Sequence, residues 1–129
     1  MDELCPFCEY ASTPSMWLAE NDSAFGVYDK YPVKKHHILI ISKDHVGDYL
    51  DLNPKQMQHF NALLQSLTNL LLRTDPTING FNVGANCGRA AGQTILHCHY
   101  HVIPRHKGDI IDPRDGIRGC IPDKRIYDK

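Results

Sequence analysis

The 129-residue sequence has no excess of charge of one sign and no long apolar segment, and each absence excludes a class of protein. Its 14 lysines and arginines nearly balance 15 aspartates and glutamates, so we expect no broad basic surface for duplex nucleic acid or anionic lipid. No segment approaches the roughly 20 apolar residues of a membrane span. The acidic start, Met1 to Cys5, lacks the apolar run of a signal peptide, so the sequence predicts a cytoplasmic protein that does not bind membranes.

The cysteines do not follow the pattern of a small secreted domain. Their number, five, is odd, and their spacing does not resemble a disulfide framework, so we expect reduced thiols. Cys5 and Cys8 are separated by two residues, which fits a redox dithiol, half of a metal site or a chance pair. The sequence also lacks internal repeats and Pro/Ser-rich linkers, which predicts one domain over residues 1–129.

Short apolar segments separated by turn residues predict an antiparallel sheet of about five strands. The predicted strands are Trp17–Glu20, Ala24–Tyr28, His37–Ser42, Gly80–Gly84 and Leu96–Ile103. The third of these is almost continuously apolar, so we expect it at the centre of the sheet. After Asn53, a candidate N-cap, apolar residues recur every three or four positions up to Leu71, which predicts one helix of about five turns.

Three histidines at alternate positions, His97, His99 and His101, are the least expected feature of the sequence. Successive side chains of a strand point to opposite faces, so the three imidazoles would line one face. The first and third would lie about 13 Å apart along the strand, too far to share one metal ion, which predicts a division of labour. A central imidazole flanked by two others suits nucleophilic attack on phosphorus.

The segment from Gly92 to Arg105 resembles the signature of the histidine-triad (HIT) family, in which three alternating histidines follow Gly-Gln-Ser/Thr. The similarity extends upstream through Asp29, the segment 37–45 and Asn86, and it covers most of the chain. The last fifteen or so residues match only a subset of such proteins. The resemblance implies an α+β domain of HIT-like fold, with one long helix, with or without a short one.

The resemblance also implies catalytic roles for four residues. His99 would be the nucleophile that accepts a nucleoside 5'-phosphoryl group, and His101 would donate hydrogen bonds to the phosphate or the leaving group. His37 would lie beside them and support the surroundings of the nucleophile. Thr94 would complete the catalytic set near the α-phosphate.

The same resemblance implies how a nucleotide would be bound. Gly92, Gln93 and Thr94 would lie around the α-phosphate, next to His99 and His101. Asp29 would bind the ribose hydroxyls, as two acceptor oxygens naturally do. Asn86 is the matching polar residue of the small-residue loop 85–93. For Asp29 and Asn86 a simple turn role stays an alternative.

The ligand-type residues outside the catalytic set indicate a structural zinc site. Several HIT proteins bind zinc through two cysteines and two histidines, and the resemblance implies the set Cys5, Cys8, His45 and His97. The first histidine of the triad would then be a metal ligand. Residues 1–15 would form this Cys-x-x-Cys segment, and no metal would be required for the chemical step.

The function implied is hydrolysis at the α-phosphorus of a purine-type nucleotide, either a dinucleoside polyphosphate or a nucleoside phosphoramidate, through a nucleotidyl-histidine intermediate. We expect a homodimer, as HIT proteins commonly form. A nucleotidyltransferase is an alternative, although such relatives usually carry glutamine where this chain has His101. A nucleotide-binding regulatory module with weak activity is another. The Gly-, Pro- and charge-rich tail, residues 107–129, could reach the substrate or a second subunit, with Arg114, Arg118 and Lys124 as candidate contacts.

Overall fold

A computed structural model describes residues 5–127 of the chain. Residues 1–4 of the expected Cys-x-x-Cys segment and residues 128–129 of the expected tail lie outside the described part. The regular elements are α1 (Pro6–Ala11), β1 (Ala19–Glu20), β2 (Ala24–Tyr28), β3 (Ile38–Ser42), α2 (Pro54–Thr74), β4 (Gly80–Gly84) and β5 (His99–Arg105). This α+β architecture is the predicted one, with α1 as the short second helix.

The five strands form one antiparallel sheet in the order β1-β2-β3-β5-β4. The apolar strand β3 lies at its centre, as predicted, and all five of its residues are buried. Ile38 and Ile40 pack on the side of the sheet that faces α2, whereas Leu39 and Ile41 pack on the opposite side with Phe7 of α1. The sheet is therefore covered by α2 on one face and by the shorter α1 on part of the other.

The long helix α2 begins and packs as its sequence indicates. Asn53 and Gln56 form a reciprocal capping box, and Pro54 occupies the first turn, where its missing N–H is not needed. Phe60, Leu63, Leu67 and Leu71 are buried along one face. Burial of each such side chain contributes about 1.5–3 kcal/mol to stability. No helix in the described residues is long and apolar enough to cross a bilayer.

The strand that carries the histidines differs from its predicted limits. It begins at His99 instead of Leu96 and continues to Arg105 instead of Ile103. The reason is that the Cys98 amide donates to the Val46 carbonyl at 2.6 Å, which turns the chain before the ladder with β3 begins. His97 therefore precedes the strand, and the predicted 13 Å spacing along one strand does not apply to it. Similarly, Trp17, Leu18 and His37 lie outside the strands predicted to contain them.

Candidate active site and candidate metal centre

His99 and His101 project from β5 on the side of the sheet opposite α2. The alternation of side chains along the strand causes this, since Cys98 and Val102 belong to the core cluster under α2. The two imidazole centroids are 5.4 Å apart. Two of the three triad histidines thus face one site, as their spacing predicts.

The surroundings of His99 leave one of its ring nitrogens free to attack. Its Nδ1 lies 2.8 Å from the backbone carbonyl of His97 and donates a hydrogen bond to it. A neutral ring with its proton on Nδ1 has an unprotonated Nε2. Burial lowers the pKa of His99, which favours this neutral form, and Phe7 holds the ring from one side with a centroid separation of 4.8 Å.

His101 is linked to His37 through a hydrogen bond that determines where its proton lies. The Val33 amide donates to Nδ1 of His37 at 3.2 Å, so neutral His37 carries its proton on Nε2. That Nε2 lies 3.0 Å from Nδ1 of His101 and donates to it. His101 is therefore left with its own proton on Nε2. Burial, with smaller contributions from His99 and His37, lowers the pKa of His101 to about 4, so its ring is a neutral donor.

His37 lies beside His101. Its ring centroid is 5.2 Å from that of His101, and its hydrogen bond also goes to that residue. Burial lowers the pKa of His37 despite the opposing effect of Asp29, which favours the neutral ring. His37 is thus positioned to orient the ring of His101.

Asp29 combines a turn role with a position in the site. Its Oδ1 accepts from the Tyr31 amide at 2.8 Å, which is the turn role that the sequence offered as an alternative. Its Oδ2 lies 3.4 Å from Nε2 of His37. Asp29, His37 and His101 offer ligand-type atoms within 4.8 Å of one another. A metal is disfavoured there because the nitrogen of His37 that faces the cluster carries the ring proton.

The loop before β5 is shaped by glycine and by the Gln93 side chain. Gly88 and Gly92 adopt positive φ angles of 92° and 95°, which other residues rarely adopt. Gln93 is buried: its Oε1 accepts from the Gly88 amide, and its Nε2 donates to the carbonyls of Gly47 and Ile95. Both donors of the amide are used by backbone carbonyls, one of them in the distant residue Gly47, so the Gln93 side chain anchors the loop and does not present a donor to a phosphate. Thr94 follows with an exposed side chain.

A cavity of about 860 Å³ opens beside His101. Its lining includes the predicted site residues Asn86 and Gly92 but not His99. The cavity therefore extends from His101 and away from His99. Its outer wall comes from the tail, through Ile117, Cys120 and Ile121.

The tail reaches this cavity with apolar side chains and not with the basic residues that the sequence suggested. Arg114 pairs with Asp112, and Arg118 donates to the Lys124 carbonyl. The feature of the sequence that could have indicated this wall of the cavity is the group of isoleucines in a tail otherwise rich in charged residues. Sequence reasoning also missed Phe7 and the Val33 amide.

The four predicted metal ligands converge at the start of α1. Sγ of Cys5, Sγ of Cys8 and one ring nitrogen each of His45 and His97 all lie within 4.8 Å of one another. Nδ1 of His97 is 3.4 Å from Sγ of Cys5 and 3.5 Å from Sγ of Cys8. Zinc–ligand bonds in a tetrahedral site place a sulfur and a nitrogen about 3.5 Å apart.

The hydrogen bonds around this cluster also fit a metal. Nε2 of His97 donates to the Ser42 carbonyl at 2.7 Å, which leaves the Nδ1 lone pair directed at the two cysteines. The Cys8 amide donates to Sγ of Cys5, an interaction that stabilises a thiolate. The set of two thiols and two imidazoles is one that zinc prefers.

Comparison with known proteins identifies the family. The HIT domain profile matches residues 11–108. The chain belongs to the HIT domain family. Within that family, an uncharacterized HIT-like protein of Borreliella burgdorferi is 32% identical over 81% of this chain and 78% of its own length.

Two further HIT relatives carry more informative names. The adenosine 5'-monophosphoramidase HNT1 of Candida albicans is 30% identical over 78% of this chain and 70% of its own length. The crystal structure of a Zn-bound histidine triad family protein from Mycobacterium smegmatis superimposes with a TM-score of 0.75 and 31% identity, covering 85% of this chain and 81% of that one. These similarities confirm the HIT-like fold predicted from the triad.

Proposed function

We propose that this HIT protein is a nucleotide hydrolase that acts at the α-phosphorus of a purine-type nucleotide through a nucleotidyl intermediate on His99. One observation carries the proposal: the unprotonated Nε2 of His99 lies beside His101, whose Nε2 carries a proton. An attacking lone pair and a hydrogen-bond donor beside it are the two groups that assist a displacement at phosphorus.

The reaction proceeds in two steps. Nε2 of His99 forms a bond to the α-phosphorus as the bond to the leaving group breaks. The Nε2–H of neutral His101 donates a hydrogen bond to the leaving atom, which takes its proton from solvent. The nucleotidylated ring is cationic and keeps its Nδ1–H, which the His97 carbonyl stabilises. Water then attacks the phosphorus and its proton passes to solvent, the bond from phosphorus to His99 breaks, and nucleoside monophosphate leaves as His99 becomes neutral again.

The remaining predicted residues are proposed to bind the nucleotide. Asp29 lies next to His37 and keeps Oδ2 directed towards the site, which supports a contact with the ribose hydroxyls. Asn86 and Gly92 line the cavity beside His101, and Thr94 is exposed in the same loop. We assign these three groups to the phosphate, with Gln93 acting through the loop conformation.

We propose that Cys5, Cys8, His45 and His97 hold a structural zinc ion. Bound there, zinc would crosslink α1 to the start of β5, and the chemical step would use only the side chains described above. The name of the Mycobacterium smegmatis relative supports this assignment. We also propose a homodimer, supported by the edge position of β4, and light scattering of the purified protein measures its mass directly.

The test is incubation with adenosine 5'-phosphoramidate and with diadenosine triphosphate, followed by detection of AMP and by intact-protein mass spectrometry. We expect AMP and a nucleotidylated protein, and we expect His99→Ala to lose both. His59→Ala is the matched control, since His59 lies on α2 and contacts Ser23 at a distance from the site. Full turnover in His99→Ala would contradict the mechanism, and transfer to an added phosphate acceptor in preference to water would favour a nucleotidyltransferase.

A further inference from the structure

The loop that joins β2 to β3, residues 29–37, carries the backbone amide that holds His37. The Val33 amide donates to Nδ1 of His37 at 3.2 Å, and the His37 amide donates back to the Lys34 carbonyl at 3.1 Å. Because Nε2 of His37 donates to Nδ1 of His101, the conformation of this loop determines where His101 carries its proton. A contact that fixes the loop therefore acts on the site.

Residues 34–37 of this loop form a turn with an uncommon backbone conformation. His36, at the third position of the turn, has a φ of 69°, in the left-handed region that glycine adopts most readily. A positive φ at this position is typical of a type II turn, in which glycine or asparagine is preferred. The residue types of the turn therefore do not favour its conformation, and contacts with the rest of the protein have to hold it.

The side chain of Lys34 makes such a contact. Its Nζ lies 3.3 Å from Oδ2 of Asp109, and the two side chains are 29% and 8% exposed. Asp109 is itself fixed, since Arg105 donates to both of its carboxylate oxygens and the His106 amide donates to Oδ2. The hydrogen bonds from Arg105, followed by that from His106, hold the pKa of Asp109 well below its usual range, so the carboxylate is charged at neutral pH.

Arg105 connects this ion pair to the sheet that carries the site. It lies on β5 four residues after His101, so the two side chains share a face of the strand, and it also donates to Asn82 of β4. The chain of contacts thus runs from the sheet through Asp109 and Lys34 to the turn. Asp109 lies one residue beyond the region that the HIT domain profile matches, so the family similarity assigns it no role.

We infer that the ion pair between Lys34 and Asp109 positions the turn 34–37 for the reaction. While the turn is fixed, a backbone amide stays on Nδ1 of His37 and the ring proton stays on Nε2. When the turn is released, Nδ1 of His37 loses its donor and can carry the proton itself, and Nε2 then no longer donates to His101. The effect on catalysis rests on the proposed function, whereas the effect on the ring protons does not.

Nitrogen NMR of the imidazole rings measures the ring protons at neutral pH without any substrate. In the wild-type protein we expect His37 to show a protonated Nε2 and an unprotonated Nδ1. Lys34→Met removes the charge and should give a mixture of the two tautomers, while Lys34→Arg, which can still pair with Asp109, should keep the wild-type form. Each variant is checked for folding by circular dichroism.

Lys35→Met is the matched control for the loss of one positive charge. Lys35 is exposed, lies next to Lys34 in the same turn, and forms no ion pair within residues 5–127. It should leave the tautomers of His37 unchanged. The same tautomer populations in Lys34→Met as in Lys35→Met would overturn the inference.

Turnover gives a second measurement. In Lys34→Met we expect kcat for an adenosine phosphoramidate to fall about two- to fivefold, the effect of a partly exposed ion pair, with KM nearly unchanged. The p-nitrophenyl ester of AMP should be cleaved at nearly the wild-type rate, since its leaving group departs without a hydrogen bond. Equal losses on both substrates would contradict a positioning role. Absence of AMP from both in the wild type would overturn the hydrolase proposal, and the NMR result would still decide the inference.

Two further comparisons separate the turn from the ion pair. His36→Val and His36→Asn both remove the imidazole, but only asparagine tolerates the positive φ, so we expect kcat for the phosphoramidate to be about 5- to 30-fold lower in His36→Val. In an Asp109→Asn background, Lys34→Met should cause little additional loss, because the pair is already disrupted. Equal rates in the two His36 variants, or fully additive losses at positions 34 and 109, would overturn the inference.

Discussion

Substitution of His37 tests whether this buried residue orients the proton on His101. His37→Leu removes the donor that lies 3.0 Å from Nδ1 of His101, and it also leaves the Val33 amide without its acceptor. His101 can then carry its proton on either nitrogen, and only the Nε2 form can donate a hydrogen bond to a leaving group. His37→Gln is the conservative variant, because its amide nitrogen can occupy the position of Nε2 and donate to His101.

The expected loss of rate in His37→Leu follows from the buried hydrogen bond to His101 that is removed. A buried acceptor without its partner costs about 1–3 kcal/mol. If that cost falls on the productive arrangement of His101, the rate of P–N cleavage should decrease roughly 5- to 150-fold, since 1.36 kcal/mol corresponds to a factor of ten. His37→Gln should restore a large part of the loss.

The decisive measurement is the dependence on the leaving group. An amine is a poor leaving group that needs a hydrogen bond at its nitrogen, whereas p-nitrophenolate leaves without one, so His37→Leu should slow an adenosine phosphoramidate far more than the p-nitrophenyl ester of AMP. Rates are measured for both substrates in folded protein, verified by circular dichroism. An equal loss for the two leaving groups would refute the orienting role and indicate general damage to the site.

Three further predictions concern the metal cluster, pH and the core. Cys8→Ser should lower zinc content and melting temperature because it removes one of four converging ligands, whereas Cys120→Ser should change neither; unchanged zinc by elemental analysis would contradict the assignment. Burial depresses the pKa of His101 from 6.5 to about 4, so the unfolded chain binds more protons in this interval and stability should fall as the pH drops from about 6.5 to 4. Denaturant titrations at a series of pH values should show the free energy of unfolding falling more steeply in the wild type than in His101→Gln. Parallel curves would contradict this prediction. Leu67→Ala should cost about 2–5 kcal/mol in urea unfolding, because Leu67 is fully buried, while a comparable loss in Leu72→Ala, at a position 41% exposed, would contradict this account.

The sequence predicted the elements whose apolar patterns repeat along the chain. The three- and four-residue spacing that ends in Leu71 identified α2, and the apolar run from Ile38 to Ile41 identified the central strand. The predicted start of the last strand was less accurate, because the turn at Cys98 depends on a hydrogen bond to Val46, far away in the sequence. Patterns of side chains carry no information about such backbone contacts.

The residue types of the site were also visible in the sequence, but several of their partners were not. Residue spacing and the family resemblance together indicated His99, His101 and the four metal ligands. The acceptor for His99 and the donor to His37 are backbone groups of His97 and Val33, which every residue type possesses. Their contribution could therefore be recognised only in the folded chain.

By itself, the sequence determined the fold class, the face that His99 and His101 share and the chemistry that these side chains can perform, because periodicity and residue type are local properties. Tertiary structure alone decided that His37 contacts His101, that Gln93 donates to the Gly47 carbonyl, and that the isoleucines of the tail close the cavity. Each of these is a contact between segments distant in sequence, formed only when the sheet brings those segments together. The three alternating histidines thus predicted a reactive site, and the packing around them assigned each ring its hydrogen bonds and its neighbours.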